Sequence, residues 1–188
     1  MNIANKLTLL RIALIPFFLA CFYVEGFRHH YLYQSASGNL SLTYANGFAL
    51  LIFSLAAATD WLDGYLARRL SLVSDFGKFM DPLADKMLTT AAFLIFIDQG
   101  LLASWMVFII LTREFIVSGL RMSAAAKGIV IAAGFSGKFK TVLQFVAIIA
   151  LLIHPHLTTF NLVLIYSMVA ATTLSGMEYV IKNLNVLK

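Results

Sequence analysis

Residues 60–85 read DWLDGYLARRLSLVSDFGKFMDPLAD and lie where two strongly apolar segments of the chain meet the same side of a membrane. The stretch contains two pairs of acids, Asp60 with Asp63 and Asp81 with Asp85. Unpaired charge at the edge of a hydrocarbon layer is costly, so carboxylates that persist there indicate a function. A metal site is the natural reason to tolerate them.

The composition indicates that the chain lies in a bilayer. Of its 188 residues, 61% are hydrophobic and 12% are charged, and its mean hydropathy is +0.87, which exceeds the range of soluble domains. Six apolar segments are each long enough to cross about 30 Å of hydrocarbon at roughly 20 residues apiece. They lie near residues 7–25, 44–68, 82–99, 103–124, 134–153 and 158–181. We predict an all-α integral membrane bundle of six transmembrane helices, forming a single domain over residues 1–188.

The basic residues predict the orientation of this bundle, because cytoplasmic ends of spans are enriched in Lys and Arg. With both termini in the cytoplasm, nearly all basic residues lie at or near that side and Arg28 alone faces out. The net charge of +5 then reflects orientation and anionic lipid, and we do not interpret it as nucleic-acid binding. The first segment lacks a small-residue cleavage site, so we expect a retained span and no signal peptide.

The longest polar stretch, residues 25–43, is predicted to be a plain external loop between the first two spans. The four histidines of the chain fall on this outer side, far from the acids, where loop or interfacial roles outweigh metal binding. Cys21 is the only cysteine. It excludes an internal disulfide and is expected to be a small buried hydrophobe.

The spacing of the four acids predicts a shared metal site. On a helix, Asp60 and Asp63 are three residues apart and Asp81 and Asp85 are four apart, so each pair projects from one face. Two facing helices would bring the four carboxylates around one space. Oxygen donors without His or Cys favour Mg²⁺ or Mn²⁺ over zinc, and four carboxylates can hold two ions that clamp a diphosphate.

Residues between the acids fit the same interpretation. Gly64 and Ala67 leave space on the acidic helix face for a nucleotide, and Gly77 is expected to do likewise in a connecting loop. Arg68 is placed to meet a phosphate oxygen with its planar guanidinium. Asp81 is predicted to be an N-cap as well as a ligand, because a proline follows it directly.

A second group of charges lies in the C-terminal half. Its cations outnumber its one nearby acid, Glu114, and a phosphate monoester would supply the missing negative charge. These cations are Arg113, Arg121, Lys138 and Lys140. Arg113 has an alternative role in a structural ion pair with Glu114, and the two lysines have one as positive-inside residues that extend toward the interface.

The acids belong to a longer frame, Asp60-x-x-Asp63-Gly64-x-x-Ala67-Arg68, followed after eight residues by Gly77-x-x-x-Asp81-x-x-x-Asp85. This frame resembles the signature of the CDP-alcohol phosphotransferase family at all eight fixed positions. Three further blocks are similar to the subgroup of bacterial phosphatidylglycerophosphate synthases. They are Asn5-x-x-Thr8-x-x-Arg11, then Arg113-Glu114-Phe115 with Gly119-Leu120-Arg121, and Gly137-Lys138-Phe139-Lys140-Thr141.

The resemblance implies a membrane enzyme that moves the phosphatidyl group of CDP-diacylglycerol onto glycerol 3-phosphate, giving phosphatidylglycerol phosphate and CMP. It implies two Mg²⁺ or Mn²⁺ ions held by Asp60, Asp63, Asp81 and Asp85, with Asp85 also acting as the general base. It implies a homodimer in the bacterial inner membrane with the active site facing the cytoplasm. The implied CDP-lipid contacts are Asp63, Gly64, Ala67, Arg68 and Gly77, and the implied acceptor-phosphate contacts are Thr8, Arg11, Arg113, Arg121, Lys138 and Lys140.

Several alternatives remain open from sequence. The acceptor alcohol of the same family could be inositol phosphate or serine, since only the weaker basic blocks favour glycerol 3-phosphate. An intramembrane prenyltransferase also binds a diphosphate through aspartate pairs, and a cation transporter also places carboxylates in a membrane. Structural ion pairing of the acids, close helix packing at Gly64 and Ala67, and helix capping by Asn5 or Thr8 are the corresponding structural interpretations.

Overall fold

The computed structural model describes residues 3–34, 41–70, 75–128, 131 and 134–183. Within these ranges the side chains of residues 3–6, 34, 41, 60–70, 75–82 and 85 lie outside the description. The described part is helical apart from one small antiparallel sheet and short turns. It forms two compact units, one from residues 1–98 with 152–155 and one from residues 99–151 with 156–188.

The described residues of the first unit form four helices and two strands. Its three long helices are α1 (Ile3–Tyr23), α3 (Tyr44–Leu70) and α4 (Asp75–Asp98), and a short helix, α2 (Glu25–Arg28), follows α1. Strands β1 (Tyr31–Gln34) and β2 (Ser41–Thr43) pair as an antiparallel hairpin, with Tyr31 opposite Thr43 and Gln34 opposite Ser41. Helix α1 packs against both α3 and α4.

Small residues let α1 and α3 approach closely. Ala45, Ala49 and Ala56 are all buried on α3 and recur at helical spacing with Phe53. Phe53 meets Phe18 of α1, with ring centroids 6.5 Å apart. The buried face of α3 therefore combines small alanines with an aromatic residue that meets α1.

The second unit contains α5 (Ser104–Ala126), α6 (Phe135–Ile153) and α7 (Thr159–Lys182). Helix α5 packs against α7, and the buried residues of both helices recur every three or four positions along one face. Val117 and Leu120 of α5 form a buried cluster with Tyr179 of α7. At the start of α7, Thr158 is the N-cap and accepts a hydrogen bond from the Asn161 backbone amide at 3.3 Å.

Each of the six predicted segments overlaps one of the long helices α1, α3, α4, α5, α6 and α7, so the helical class and the order of the segments are confirmed. Among the described residues, α6 and α7 are long and apolar enough to cross a membrane, with 19 and 24 residues. Leu7–Tyr23 and Tyr44–Thr59 are shorter apolar helical stretches. These lengths agree with a membrane bundle, while six spans and cytoplasmic termini stay predictions.

Two local predictions were wrong. Residues 25–43 are not a plain loop, because α2 and the β1–β2 hairpin occupy much of this stretch. Helix α4 begins at Asp75, so Gly77 lies inside the helix and Asp81 is not its N-cap. The reason is that a proline inside a helix removes one backbone hydrogen bond and can be accommodated, so it does not fix where the helix starts.

Thr8 could cap helix α1 only if the helix began directly after it. The helix starts at Ile3, and Thr8 lies inside it and is fully buried. The capping interpretation of Thr8 is therefore wrong, and the side chain of Asn5 lies outside the described residues.

The alanine contact between α1 and α3 predicts a strong effect of added volume. Ala49→Leu should lower the stability of the protein by about 1–3 kcal/mol, because the helices cannot separate without breaking the Phe18–Phe53 contact. The apparent melting temperature in detergent measures this. Ser54→Leu adds similar volume at an exposed position of the same helix and should change stability by less than about 0.5 kcal/mol. Equal effects of the two substitutions would contradict the packing described here.

Candidate functional site

The backbone places the four predicted metal ligands on two consecutive helices of the first unit. Asp60 and Asp63 lie in the C-terminal half of α3, and Asp81 and Asp85 lie in the N-terminal half of α4. Both pairs are helical, as their spacing of three and four residues requires. Their side chains lie outside the described residues, as do those of Arg68 and Ala67, so their contacts stay predictions. Gly64 lies in α3 and Gly77 in α4.

Thr8 and Arg11 lie one helical turn apart on α1 and are both buried in the first unit. Thr8 is 0% exposed and Arg11 is 1% exposed. A guanidinium removed from water to this degree requires compensating charge or hydrogen bonds. Because α1 packs on both acid-bearing helices, α3 and α4, the first unit contains the two predicted N-terminal site residues and the backbone of the aspartate frame.

In the second unit, Arg113 of α5 is the centre of a buried polar network. Its Nη1 donates to Glu114 Oε1 at 3.3 Å and its Nη2 donates to Ser175 Oγ of α7 at 3.0 Å. Its side chain is 10% exposed, and its Nε is buried with no hydrogen-bond partner among the described residues. The ion pair with Glu114 that sequence left open as an alternative is therefore present.

Lys140 of α6 belongs to the same network. Its Nζ contacts Glu114 Oε1 and donates to Gln144 Oε1 at 3.2 Å. Gln144 in turn donates from Nε2 to Thr172 Oγ1 of α7 at 3.4 Å. Lys140 is 5% exposed, so this lysine does not extend to an interface as the positive-inside alternative requires. Glu114 thus links cations from two helices.

Glycines create the space that Arg113 occupies. A Cβ atom at Gly176 of α7 would lie 2.5 Å from Arg113 Cγ, which is closer than real atoms approach, and a Cβ at Gly137 of α6 would lie 3.7 Å from Nη2. The Arg113 side chain therefore crosses α7 at a position that tolerates only glycine. Gly137 belongs to a block quoted from sequence, whereas Gly176 was missed. The Ser175-Gly176 step inside an apolar helix was the available signal.

Arg121 and Lys138 are the exposed members of the four predicted acceptor-site cations of this unit. Arg121 Nε donates to Tyr179 Oη at 3.3 Å, and its guanidinium lies 5.9 Å from the centroid of the same ring. Lys138 is exposed in the first turn of α6. The four predicted acceptor-site cations of this unit thus divide into a buried pair, Arg113 and Lys140, and an exposed pair.

The charge balance of the network favours an anion. Arg113 and Lys140 share the single carboxylate of Glu114 in a setting where these side chains are no more than 16% exposed. The exposed pair adds two further positive charges. Glu178 of α7, the other acid in the sequence after residue 99, forms an exposed ion pair with Lys182 one turn away. The second unit therefore carries the positive surplus that a phosphate group would balance.

Comparisons with known proteins show the family of the chain. A sequence profile of the CDP-alcohol phosphatidyltransferase family matches residues 1–176. The chain is 44% identical over 192 aligned residues to a CDP-diacylglycerol–glycerol-3-phosphate 3-phosphatidyltransferase of Bacillus subtilis, covering 100% of this chain and 97% of the relative. It is 37% identical to the protein of the same name from Pseudomonas fluorescens, covering 89% and 80%. It is 38% identical to a probable phosphatidylglycerophosphate synthase of Mycobacterium tuberculosis, covering 97% and 82%.

Because Arg113 occupies the space beside Gly176, we predict that position 176 does not accommodate any larger residue. Gly176→Ala should destabilise the protein by about 1–3 kcal/mol, because the new methyl group displaces Arg113 from Ser175. Gly119→Ala is the matched control, since nothing lies within 4 Å of a Cβ built there and alanine favours the helix by about 1 kcal/mol. Apparent melting temperatures of the two variants should therefore move in opposite directions. If Gly176→Ala were as stable as the unsubstituted protein, the position of the Arg113 side chain would not depend on the space beside Gly176.

Because Arg113 and Lys140 share the carboxylate of Glu114, substitutions of Glu114 and Lys140 should have unequal and non-additive effects on stability. Glu114→Gln leaves two buried cations together and should cost about 3–5 kcal/mol of stability. Lys140→Met should cost less, because Glu114 keeps Arg113 as its partner. Adding Lys140→Met to Glu114→Gln should restore part of the loss, since it removes one of the two buried cations.

The exposed pair Glu178–Lys182 supplies the control for this double-mutant cycle. Glu178→Gln should change stability by less than about 1 kcal/mol, because water screens an exposed ion pair. Apparent melting temperatures of all four variants measure the cycle. Simple additivity of Glu114→Gln and Lys140→Met would contradict the shared carboxylate.

Proposed function

The chain belongs to the CDP-alcohol phosphatidyltransferase family, and from this premise we propose that it transfers the phosphatidyl group of CDP-diacylglycerol to glycerol 3-phosphate. The products are phosphatidylglycerol phosphate and CMP. The observation that carries the proposal is similarity over the whole chain to a protein named for this reaction. The enzyme is proposed to be a multi-pass protein of the bacterial inner membrane, with its active site facing the cytoplasm.

The donor set of the aspartate frame fits divalent cations. Asp60, Asp63, Asp81 and Asp85 are oxygen donors at helical spacing on consecutive helices, the ligand chemistry that Mg²⁺ and Mn²⁺ prefer. We assign these residues as the ligands of two such ions. Bound there, the ions would neutralise the diphosphate and stabilise the departing CMP.

The protein's own residues then bind the donor and move one proton. Asp85 accepts the proton of the acceptor hydroxyl, whose oxygen forms a bond to the lipid-side phosphorus while the bond to the CMP oxygen breaks. Arg68 binds a phosphate oxygen of the CDP-lipid. Gly64 and Ala67 of α3 and Gly77 of α4 leave room for the nucleotide, and Asp63 contributes to its binding.

The cations of the second unit are proposed to bind the acceptor phosphate, in two ways. Arg121 and Lys138 are exposed and bind it directly. Arg113 is held by Glu114 and Ser175 and has a buried Nε without a partner among the described residues, so it is oriented before the substrate arrives. Lys140 contacts Glu114 and Gln144, and we propose that it acts through Glu114 on the position of Arg113.

Thr8 and Arg11 are also assigned to the acceptor phosphate, from their place in the family block at the start of the chain. Their burial against helices α3 and α4 supports a role within the first unit that goes beyond surface charge. A homodimer is part of the proposal by family resemblance alone.

The experiment that tests the reaction is CMP release by purified protein with CDP-diacylglycerol and Mg²⁺. Glycerol 3-phosphate is compared with inositol phosphate, serine and no acceptor, and EDTA is the control. Release that requires both glycerol 3-phosphate and metal supports the proposal. Release with another alcohol alone would keep the family and overturn the acceptor. No release from folded protein with any acceptor would favour a prenyltransferase or a transporter.

The base assignment predicts a separation of binding from chemistry. Asp85→Asn should lower kcat at least about a hundredfold, since positioned proton transfer contributes about 10²–10⁴-fold, while CDP-lipid binding stays measurable. Initial rates of CMP release and titration with the CDP-lipid measure the two quantities. Full activity of the Asp85→Asn variant would remove Asp85 as the base.

The division of the cations predicts a selective change in KM. Lys138→Gln should raise the KM for glycerol 3-phosphate about tenfold, corresponding to a loss of about 1.4 kcal/mol. The KM for CDP-diacylglycerol should stay unchanged. Lys127→Gln, in the turn after α5, is the charge-matched control and should change neither constant. If Lys138→Gln raised both KM values equally, the effect would come from a general loss of positive charge and not from a lost contact with glycerol 3-phosphate.

A further inference from the structure

The end of the first unit that carries α2 and the hairpin is distant from the aspartates. Phe48 precedes Asp60 by twelve residues of continuous helix α3, which corresponds to about 18 Å along the helix axis. The hairpin is closed onto α3 by a hydrogen bond from the Tyr44 amide to the His30 carbonyl, at 3.0 Å. A polar headgroup held at this end is therefore far from the acids that are proposed to bind the diphosphate.

An open groove of about 220 Å³ lies at this end, and its lining is wholly apolar. Its walls come from α1, α2 and α3. Phe27 of α2 and Phe48 of α3 pack with tilted rings whose centroids are 5.3 Å apart, and Tyr44 stacks on Phe48 at 6.3 Å. The lining residues are Phe17, Ala20, Cys21, Phe27, Phe48 and Ile52. Such a surface is suited to a hydrocarbon chain.

Opposite charges flank Phe27, the groove residue of α2, in the sequence. Glu25 and Arg28 are the first and last residues of α2, and both are exposed. Among the described side chains no ion pair joins them, although three residues on a helix would allow one. Close by, the Tyr23 hydroxyl donates to Asp98 Oδ2 at 2.9 Å, which places the polar ends of α1 and α4 at the same level.

Exposed aromatic residues mark the same level. Tyr31 and Tyr33 of β1 are more than half exposed, as is Tyr23. Tyrosine prefers the boundary between hydrocarbon and headgroups, because its ring is apolar and its hydroxyl is polar. Exposed tyrosines and the two charges of α2 thus lie at the same end of the unit as the groove.

We propose that this end of the first unit binds a zwitterionic phospholipid from the leaflet opposite the aspartates. An acyl chain occupies the groove, Arg28 meets the phosphate and Glu25 meets the ammonium group. The charge pattern selects this occupant, because a cation and an anion on one short helix match the two charges of a phosphatidylethanolamine headgroup. The inference rests on the membrane location contained in the proposed function, but not on the reaction.

The test uses the full-length protein in detergent, titrated with phosphatidylethanolamine or with phosphatidylglycerol. Apparent melting temperature and bound lipid phosphorus are measured in an Asp63→Asn background, which impairs the donor site. A saturable rise in melting temperature with phosphatidylethanolamine, clearly larger than with phosphatidylglycerol, supports the proposal. Equal or unsaturable responses to the two lipids overturn it.

Two variants with matched controls test the groove and the headgroup contact. Ala20→Trp fills the groove at an exposed position and should abolish saturable binding, whereas Val163→Trp at an exposed position of α7 should not. Arg28→Gln should raise the half-saturating lipid concentration about tenfold, equal to about 1.4 kcal/mol, and Arg28→Lys should largely retain binding. Unchanged binding in Ala20→Trp or in Arg28→Gln overturns the proposal.

The remaining outcomes are also decisive. If no lipid binds and Ala20→Trp converts an oligomer to a monomer, a second copy of the chain covers the groove and the lipid proposal is wrong. If CMP release is absent with every acceptor but phosphatidylethanolamine still binds saturably, the proposed reaction fails and this inference stands.

Discussion

The structure depends on one constraint, which is that charge buried among apolar helices needs a partner of opposite sign. In the second unit, Glu114 satisfies this constraint for cations of two helices, Arg113 of α5 and Lys140 of α6. Ser175 of α7 completes the coordination of Arg113. The three helices of this unit are thus joined by a polar network in addition to apolar contacts. The same network is a source of the positive surplus that we assign to an acceptor phosphate.

Small residues make this arrangement possible in both units. On α3, Ala49 and Ala56 bring the backbone of α1 close, and on α7, Gly176 lets the Arg113 side chain pass. Helices in lipid gain little from the hydrophobic effect between them, so close packing and buried hydrogen bonds supply much of the stability. Alanine and glycine positions are therefore as important to the packing of this protein as its charged residues.

The positions of the long helices could be predicted because the length of an apolar run sets the length of a helix in a membrane. The hairpin Tyr31–Gln34 with Ser41–Thr43 could not, because its strands are too short to give an alternating pattern of their own. The start of α4 at Asp75 was missed for a related reason. A proline marks a site where a helix can begin, but it does not prevent the helix from beginning earlier.

The sequence by itself determined the family, the aspartate frame and its donor chemistry, because these depend on residue type and on spacing along one chain. Only the tertiary structure decided which cations are buried and what they contact. Ser175 and Gly176 contact Arg113 although more than sixty residues of the chain separate them from it. Gln144 of α6 likewise donates a hydrogen bond to Thr172 of α7. Such contacts depend on how helices rotate and pack against each other, and periodicity along a single helix does not encode that rotation.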